Sequence, residues 1–294
     1  MKESIYIIIP VHNRKQITLF CLENLQKIGD LDRYHIVIID DGSTDGTAEA
    51  IHSQYPEATV LEGNGDLWWT GAMAVGMQYA CEQGAEYLFW LNDDCIPATN
   101  TISGLVKFMR NHPDTIVAPA CEVKNGNSFT RITNGAKGRK GLLAQPGEIV
   151  SVDGMSGRCV GIPSKVIQKI GLPDAVKFPH YSGDHMYVLK ATRSGFKAYL
   201  VGDFTTAMYG EVYETLNLHK YFRPESTPVT TFKALFFNKK SPYRLPTQFL
   251  YLTEKYGYLE GIFLFILKFI SWSWLWLGFQ FGLSMKQIFG REGI

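Results

Sequence analysis

The sequence predicts an α/β protein with a mostly parallel central sheet, helices on both of its faces, and a helical C-terminal segment. Three observations predict this. Short apolar runs alternate with helix-period segments up to about residue 121. Two of those runs end in paired acidic residues, Val37-Ile38-Ile39-Asp40-Asp41-Gly42-Ser43 and Leu88-Phe89-Trp90-Leu91-Asn92-Asp93-Asp94. The stretch from Leu259 to Leu283 then becomes almost free of charge. Runs of four to eight apolar residues bounded by turn signals read as buried parallel strands. Ligands of open α/β sheets bind beyond the carboxyl ends of such strands, so two strand ends bring carboxylates to one edge. Carboxylates crowded there need a cation or hydrogen-bond donors, which points to a divalent metal and a polar, phosphorylated ligand.

Taken in order, strands are expected at 5–9, 35–40, 58–62, 86–91 and 115–119, with helices near 15–28, 45–54, 71–83 and 100–111. Pro10, which lacks an N–H, is expected to stop the first strand. Ser43 or Thr44 is expected to cap the second helix, with Asp45 in its first turn where the dipole favours an anion. From 122 to 162 the chain is Gly-rich and polar and reads as loops with short antiparallel strands. Helical periodicity resumes at 163–170 and 184–195, followed by a strand at 197–201. The expected organisation is a domain over 1–215, divided into a half at 1–121 and a half at 122–215, and a helical segment at 216–294.

Composition narrows the function. The 294 residues carry 46% apolar and 19% charged side chains with a formal net charge of +1, so no bulk field favours nucleic acid. Five cysteines, Cys21, Cys81, Cys95, Cys121 and Cys159, lack CxxC or metal-ligand spacing, and their odd number argues against a closed disulfide framework. A reducing, cytoplasmic setting is expected. Met1-Lys2-Glu3-Ser4 leads straight into a strand, without the pattern of a secretory signal. Between Leu259 and Leu283 only Glu260 and Lys268 are charged, and Trp272, Trp274 and Trp276 crowd the middle. Such a segment barely reaches spanning length, and its tryptophans suit the membrane interface; a buried core or dimer helix is the alternative. The basic stretch Lys233, Lys239, Lys240 and Arg244 precedes it, suited either to anionic head groups or a lipid diphosphate, or simply to water.

The ordered motifs resemble one family. Pro10-Val11-His12-Asn13-Arg14, Asp40-Asp41-Gly42-Ser43-Thr44-Asp45, Asn64-Gly65 with Gly71 and Gly76, Asn92-Asp93-Asp94, and then Gly161 through Asp174 with Tyr181-Ser182-Gly183-Asp184 and Lys190 to Phe196, resemble the family 2 inverting glycosyltransferases of the GT-A fold. The resemblance covers roughly residues 5–201, and near Asp66 to Met73 it leans to the rhamnosyltransferase-like branch. It implies a nucleotide-sugar donor, Mg²⁺ or Mn²⁺, and a glycan or lipid-linked saccharide acceptor, handled at the cytoplasmic face of a membrane.

The resemblance also distributes roles. Pro10, Asn13 and Arg14, with Asp40, Asp41, Asn64 and Gly71, would bind the donor, Asp41 contacting the base. Asp94 would be the metal ligand and Asp93 a ribose or metal-shell group, with neutral Asn92 orienting. Asp184, opening a helix, would be the general base that an inverting reaction requires, with His185 beside it as a second candidate. Trp68 and Trp69 would wall the sugar pocket, although packing of at least one in the core is equally compatible with the sequence. The chain departs from the family pattern at Gly183, where Glu is common, at Ala74, where Asn is common, and after the last strand. There Ala207-Met208-Tyr209-Gly210-Glu211 lacks a metal-binding histidine; the metal site would then be looser, or completed by Glu211 or a residue further on, and His219 receives no role. A sugar-phosphate nucleotidyltransferase would need a Gly-rich basic loop after the first strand, and a dehydrogenase a GxGxxG; neither is present. A catalytically degenerate nucleotide- or glycan-binding relative is the remaining alternative.

Overall fold

A computed structural model describes residues 2–125, 128–209 and 227–281. The chain divides into two compact units. One comprises the described residues up to 179 and from 183 to 209, the other 180–182 with 227–281.

In the first unit, β1 (Ile5–Val11), β2 (His35–Asp40), β3 (Thr59–Glu62) and β4 (Tyr87–Leu91) pair in parallel in the order β3-β2-β1-β4. Alternation along each strand feeds two separate cores, as a period of two requires. Ile5, Ile7, Ile9, Ile36, Ile38, Phe89 and Leu91 face one side; Ile8, Val37, Ile39, Leu88 and Trp90 face the other. The first core is covered by α1 (Lys15–Lys27), α3 (Thr47–Gln54) and α5 (Thr101–Asn111), a short α2 (Asp30–Arg33) lying between α1 and β2 in the chain. The second is covered by α4 (Trp68–Glu82), α6 (Ser164–Ile170) and α7 (Gly183–Arg193). On α5, buried Ile102, Leu105, Val106 and Met109 repeat at helical spacing.

Beyond β4 the sheet turns mixed. β5 (Cys95–Pro97), β6 (Thr115–Asn125), β7 (Ser128–Ile132), β10 (Ile149–Ser151), β12 (Cys159–Pro163) and β13 (Lys197–Met208) complete it. β12 runs antiparallel between β4 and β6, and β13 runs parallel to β6 with a bulge between Val201 and Thr205. All five residues of β12 are buried, and a Cβ on Gly161 would meet the Phe89 ring at 2.8 Å, so only glycine fits there. β8 (Gly135–Lys137), β9 (Lys140–Leu142) and β11 (Gly154–Met155) form a separate small sheet.

Four local expectations change. Pro10 does not end β1, which pairs with β2 through Val11; on the β4 side pairing ends at Ile8, so the missing N–H interrupts one ladder only. Neither Ser43 nor Thr44 caps α3. The Ser43 hydroxyl accepts from Asn13 N–H, the helix begins after Gly46 at φ +78°, and Asp45 accepts from the Thr47 N–H and hydroxyl. The helix expected at 71 starts at Trp68, and the strand expected at 197–201 runs on to Met208; Cys159–Pro163, one of the short antiparallel strands expected within the 122–162 region, lies at the centre of the main sheet.

The second unit holds α8 (Pro228–Phe236), α9 (Leu245–Tyr256) and α10 (Tyr258–Gln280). α8 has a Thr227 cap and Pro at its first position, the favoured start for a helix. Leu235, Phe236 and Leu275 form its small core.

Candidate active site

The carboxyl ends of β1, β2 and β4 converge with the loop after β3. After β1, His12 Nδ1 lies 2.6 Å from Asp41 O, and the Asn13 side-chain carbonyl accepts from Thr44 N–H at 2.7 Å. Asn13, itself at φ +53°, therefore fastens the β1 loop to the β2 loop. Asp40 turns back to accept from Ser43 N–H at 2.9 Å, ordinary Asx-turn chemistry.

Asp41 does something the sequence did not suggest. Its buried carboxylate accepts from the N–H groups of Gly65 (2.8 Å), Leu67 (3.2 Å) and Trp68 (2.9 Å). It thus caps α4 from a different strand, which explains the helix's early start without a cap of its own. The β2 and β3 loops touch backbone to backbone. A Cβ on Gly42, at φ +71°, would stand 3.1 Å from Gly65 Cα, and one on Gly63 2.6 Å from Asp41 Oδ1. Asn64 accepts from Asp66 N–H and so shapes the same loop. Gly71 is not open to a ligand: it is buried in α4 against Leu67 and Ala175, which corrects the expectation of a donor approach there.

At the end of β4, Arg14 forms ion pairs with both aspartates, Nη1 to Asp93 Oδ1 at 2.8 Å and Nη2 to Asp94 Oδ2 at 3.0 Å. Asp93, 1% exposed, also accepts from the Thr18 hydroxyl at 3.1 Å. Burial pushes its carboxyl up to about 6; Arg14 pulls the other way and the Asp94 charge adds to the rise. Thr18 was missed from sequence, although it lies one helical turn after Arg14. Asp94 is partly exposed, and its carbonyl accepts from Tyr209 N–H at 2.7 Å, so β13 delivers the chain back to this point. Phe20 and Tyr209 stack there with ring centroids 4.4 Å apart. Cys95 is buried beside Asp94, and burial raises its thiol well above the usual range, which leaves it unreactive.

The two tryptophans separate in role. Trp68, at φ +57°, bonds Asp66 through its indole N–H. Trp69 donates its indole N–H to Asn92 Oδ1 at 2.8 Å and meets Trp90 edge-on at 5.3 Å. Its ring also lies against Gly157, where a Cβ would be 2.3 Å from Trp69 Cζ2 and 3.1 Å from Asp184 Cβ. Asp184, in the first turn of α7, accepts from Gly157 N–H at 2.7 Å. The linked contacts Asp184–Gly157–Trp69–Asn92 therefore connect the expected base to the Asp93-Asp94 strand end. α4 and α7 abut at their N-termini, because a Cβ on Gly183 would collide with Thr70 Oγ1. His185 packs its imidazole over Gly154 of β11. Gly157 was not foreseen; it was one glycine among many in a Gly-rich tract. Glu211 and His219 lie outside the described residues.

No three His, Cys, Asp or Glu side chains gather as a metal cage among the described residues. A hard cation fits here in a different manner. Asp94 presents a partly exposed carboxylate, and Mg²⁺ or Mn²⁺ accept one or two protein carboxylates when phosphate oxygens and water supply the rest.

Comparison with known proteins identifies the family and the fold. Residues 6–171 match the family described as Glycosyl transferase family 2. Over 118 residues the chain is 25% identical to the galactofuranosyltransferase GlfT1 of Mycolicibacterium smegmatis, covering 40% of this chain and 39% of that protein's length. The fold is shared with GalNAc-T7 bound to UDP, GalNAc and Mn²⁺ (TM-score 0.59, 18% identity, 85% of this chain and 50% of that one). It is shared with TarS of S. aureus bound to UDP-GlcNAc (0.56, 14%, 88% and 73%). The mannosyltransferase PcManGT of Pyrobaculum calidifontis, bound to GDP-Man and Mn²⁺, also has it (0.55, 15%, 99% and 89%).

Proposed function

Because the chain belongs to glycosyl transferase family 2, and is thus a nucleotide-sugar glycosyltransferase with a GT-A-like fold, we propose that it is an inverting enzyme with Asp184 as general base. The observation that carries this reading is the linked set Asp184–Gly157–Trp69–Asn92, which ties the base to the strand end holding Asp93 and Asp94. Pro10, Asn13, Asp40, Asp41 and Asn64 form the nucleoside end of the donor site, Asp41 acting chiefly by ordering the 64–68 loop. Asp94 is the metal ligand, with Asp93 and Arg14 around it. When bound, Mg²⁺ or Mn²⁺ supplies charge neutralisation for the leaving nucleoside diphosphate.

The chain's own groups do the rest. Asp184 takes the proton of the acceptor hydroxyl as that oxygen attacks the anomeric carbon from the face opposite the diphosphate. Gly157 N–H, bonded to Asp184 Oδ2, fixes the direction of the carboxylate. Trp69 keeps Gly157 in place and offers an apolar ring to a sugar C–H face. The donor is a nucleoside-diphosphate hexose or deoxyhexose, as in the rhamnosyltransferase-like branch, and the acceptor is a glycan or lipid-linked saccharide of cell-envelope polysaccharide synthesis at the cytoplasmic face of the membrane.

The test is a donor panel of dTDP-rhamnose, UDP-galactofuranose, UDP-GlcNAc and GDP-mannose, each with Mn²⁺, Mg²⁺ or EDTA, reading nucleoside diphosphate release. Wild type is expected to turn over one donor with metal. Asp94→Ala should lose metal dependence together with activity, and Asp184→Asn should bind the donor but not transfer it. Full transfer by Asp184→Asn would remove it as the base.

A further inference from the structure

α10 is the one helix among the described residues that is long and apolar enough to cross a membrane, yet its two sides differ. One side packs on α8 and α9. Phe232 meets Trp276, Phe236 meets Phe269, Tyr243 meets Trp272, and Phe249 meets Phe265, all edge-on with centroids 5.3–6.2 Å apart. The Trp276 indole and the Gln280 amide both donate to Thr231 Oγ1, at 3.2 and 3.3 Å. Gly261 lets the backbones of α9 and α10 touch, since a Cβ there would be 2.4 Å from Thr253 Cα.

The other side is bare. Leu259, Phe263, Ile266, Leu267, Ile270, Trp274, Leu277 and Phe281 recur every three or four residues, so they share one stripe about 100° wide. Leu259 is 84% and Trp274 62% exposed. The stripe runs the full 23 residues, roughly 35 Å at helical rise. Lys268, nine residues from Leu259 and hence half a circle away, stands on the opposite side with its ammonium 5.7 Å from the Trp272 ring centroid.

We propose that α10 lies in the plane of an anionic bilayer surface, its Leu259–Phe281 stripe sunk into the head-group boundary, and does not span. Three observations carry this. Lys268 falls at the middle of the helix, which is the bilayer centre for a spanning orientation and the water side for an in-plane one. α8 and α9, with nine and twelve residues, are too short to span, and a spanning α10 would shed the aromatic and Thr231 contacts it makes with them. Between 227 and 281 six basic side chains, of which only Lys255 is buried, face two acidic ones, the charge complement of anionic lipid. A second copy of the chain is disfavoured as the occupant, because a helix-pairing seam is narrow and edged by charges, whereas beside this stripe only Glu260 is charged. α8 exposes Val229 and Lys233, and Phe237 just after it is exposed too, the same mixture of apolar and basic groups.

The inference does not depend on the transferase reading, and its test uses no donor. The full chain is floated with sealed vesicles of phosphatidylcholine alone or of an equal mixture of phosphatidylcholine and phosphatidylglycerol. Binding is expected to the mixed vesicles, weakened by salt, with tryptophan emission quenched by lipids brominated at shallow acyl positions. Phe263→Ser/Ile270→Ser/Trp274→Ser should lower partitioning by at least about 100-fold, with unchanged circular dichroism. Lys233→Glu/Lys240→Glu should remove the preference for phosphatidylglycerol while keeping weak binding. Tyr258→Cys and Lys268→Cys, outside the stripe, should both react with an impermeant maleimide from the side of addition, measured against the parent chain. Protection of Lys268→Cys until detergent is added would mean spanning. A stripe-dependent dimer that ignores both vesicles would mean a second copy, and equal, salt-insensitive binding to both vesicles would remove the anionic surface. Each of these results overturns the proposal.

Discussion

Replacing Arg14 by methionine keeps the aliphatic stem but removes the guanidinium that bridges Asp93 and Asp94. Asp93 is 1% exposed and would be left with the Thr18 hydroxyl. An uncompensated buried carboxylate escapes by taking a proton, so the penalty has a ceiling. In the wild type Asp93 titrates at about 6 against 3.8 when unfolded, so above pH 6 native and unfolded chains both hold it ionised. In the variant its pKa rises further. Between about 6 and that new value the native state alone keeps the proton, and stability falls by about 1.4 kcal/mol per pH unit. The variant should therefore lose almost nothing near pH 5 and up to about 2.7 kcal/mol near pH 8, beyond a pH-independent ~0.5 kcal/mol for the more exposed Asp94 pair. Urea denaturation of both proteins across that range reads the difference directly. Mn²⁺ should recover more stability in the variant than in the wild type, because the cation enters a site that the guanidinium has vacated. A loss independent of pH, or none near pH 8, would refute the view that Arg14 is the counter-charge of Asp93.

Other expectations are as direct. Asp30 is buried, its Oδ2 has no partner, and burial raises its carboxyl to about 6 despite Arg33. Its favourable contribution is present below the unfolded pKa and is lost as pH rises through 6. Asp30→Asn should therefore stabilise the protein above neutrality, by on the order of 2 kcal/mol, with the gain vanishing near pH 4 in the same urea titration. Gly157→Ala would press on the Trp69 ring and Asp184; in the same donor assay kcat should fall about 10- to 100-fold as the base is displaced, and the donor KM should rise with it as the Trp69 ring shifts. Trp69→Phe deletes the N–H bonded to Asn92 and should cost about 1–2 kcal/mol in thermal unfolding, because the Asn92 acceptor is left unsatisfied.

Where an element's signal was local, the sequence was readable. The runs at 5–9, 35–40 and 86–91 are strands because burial on both faces keeps their interiors, Ile5–Ile9, Ile36–Ile39 and Tyr87–Leu91, free of charged residues, and α5 follows from four buried residues at helical spacing. The paired carboxylates at the ends of β2 and β4 were legible for the same reason. What escaped was set by distant partners. The start of α4 is decided by Asp41, 27 residues before Trp68, and no local pattern announces a cap supplied from another strand. Asp45 replaces Ser43 as the partner of the α3 terminus because Ser43 is held by Asn13 in a different loop. Thr18 and Gly157 matter only through the groups they meet, Asp93 in one case and Trp69 with Asp184 in the other.

The antiparallel insertion of β12 bears on how the chain acquires its shape during synthesis. β4 and β6 are complete by residue 125, yet their common neighbour, Cys159–Pro163, leaves the ribosome some forty residues later. Until then the two strands would stand about 10 Å apart, twice the usual spacing, with two rows of unpaired backbone groups facing an empty slot. A nascent chain paused there offers two edges for mispairing, and a fragment ending at residue 121 is expected to pellet on expression instead of behaving as a free nucleotide-binding module.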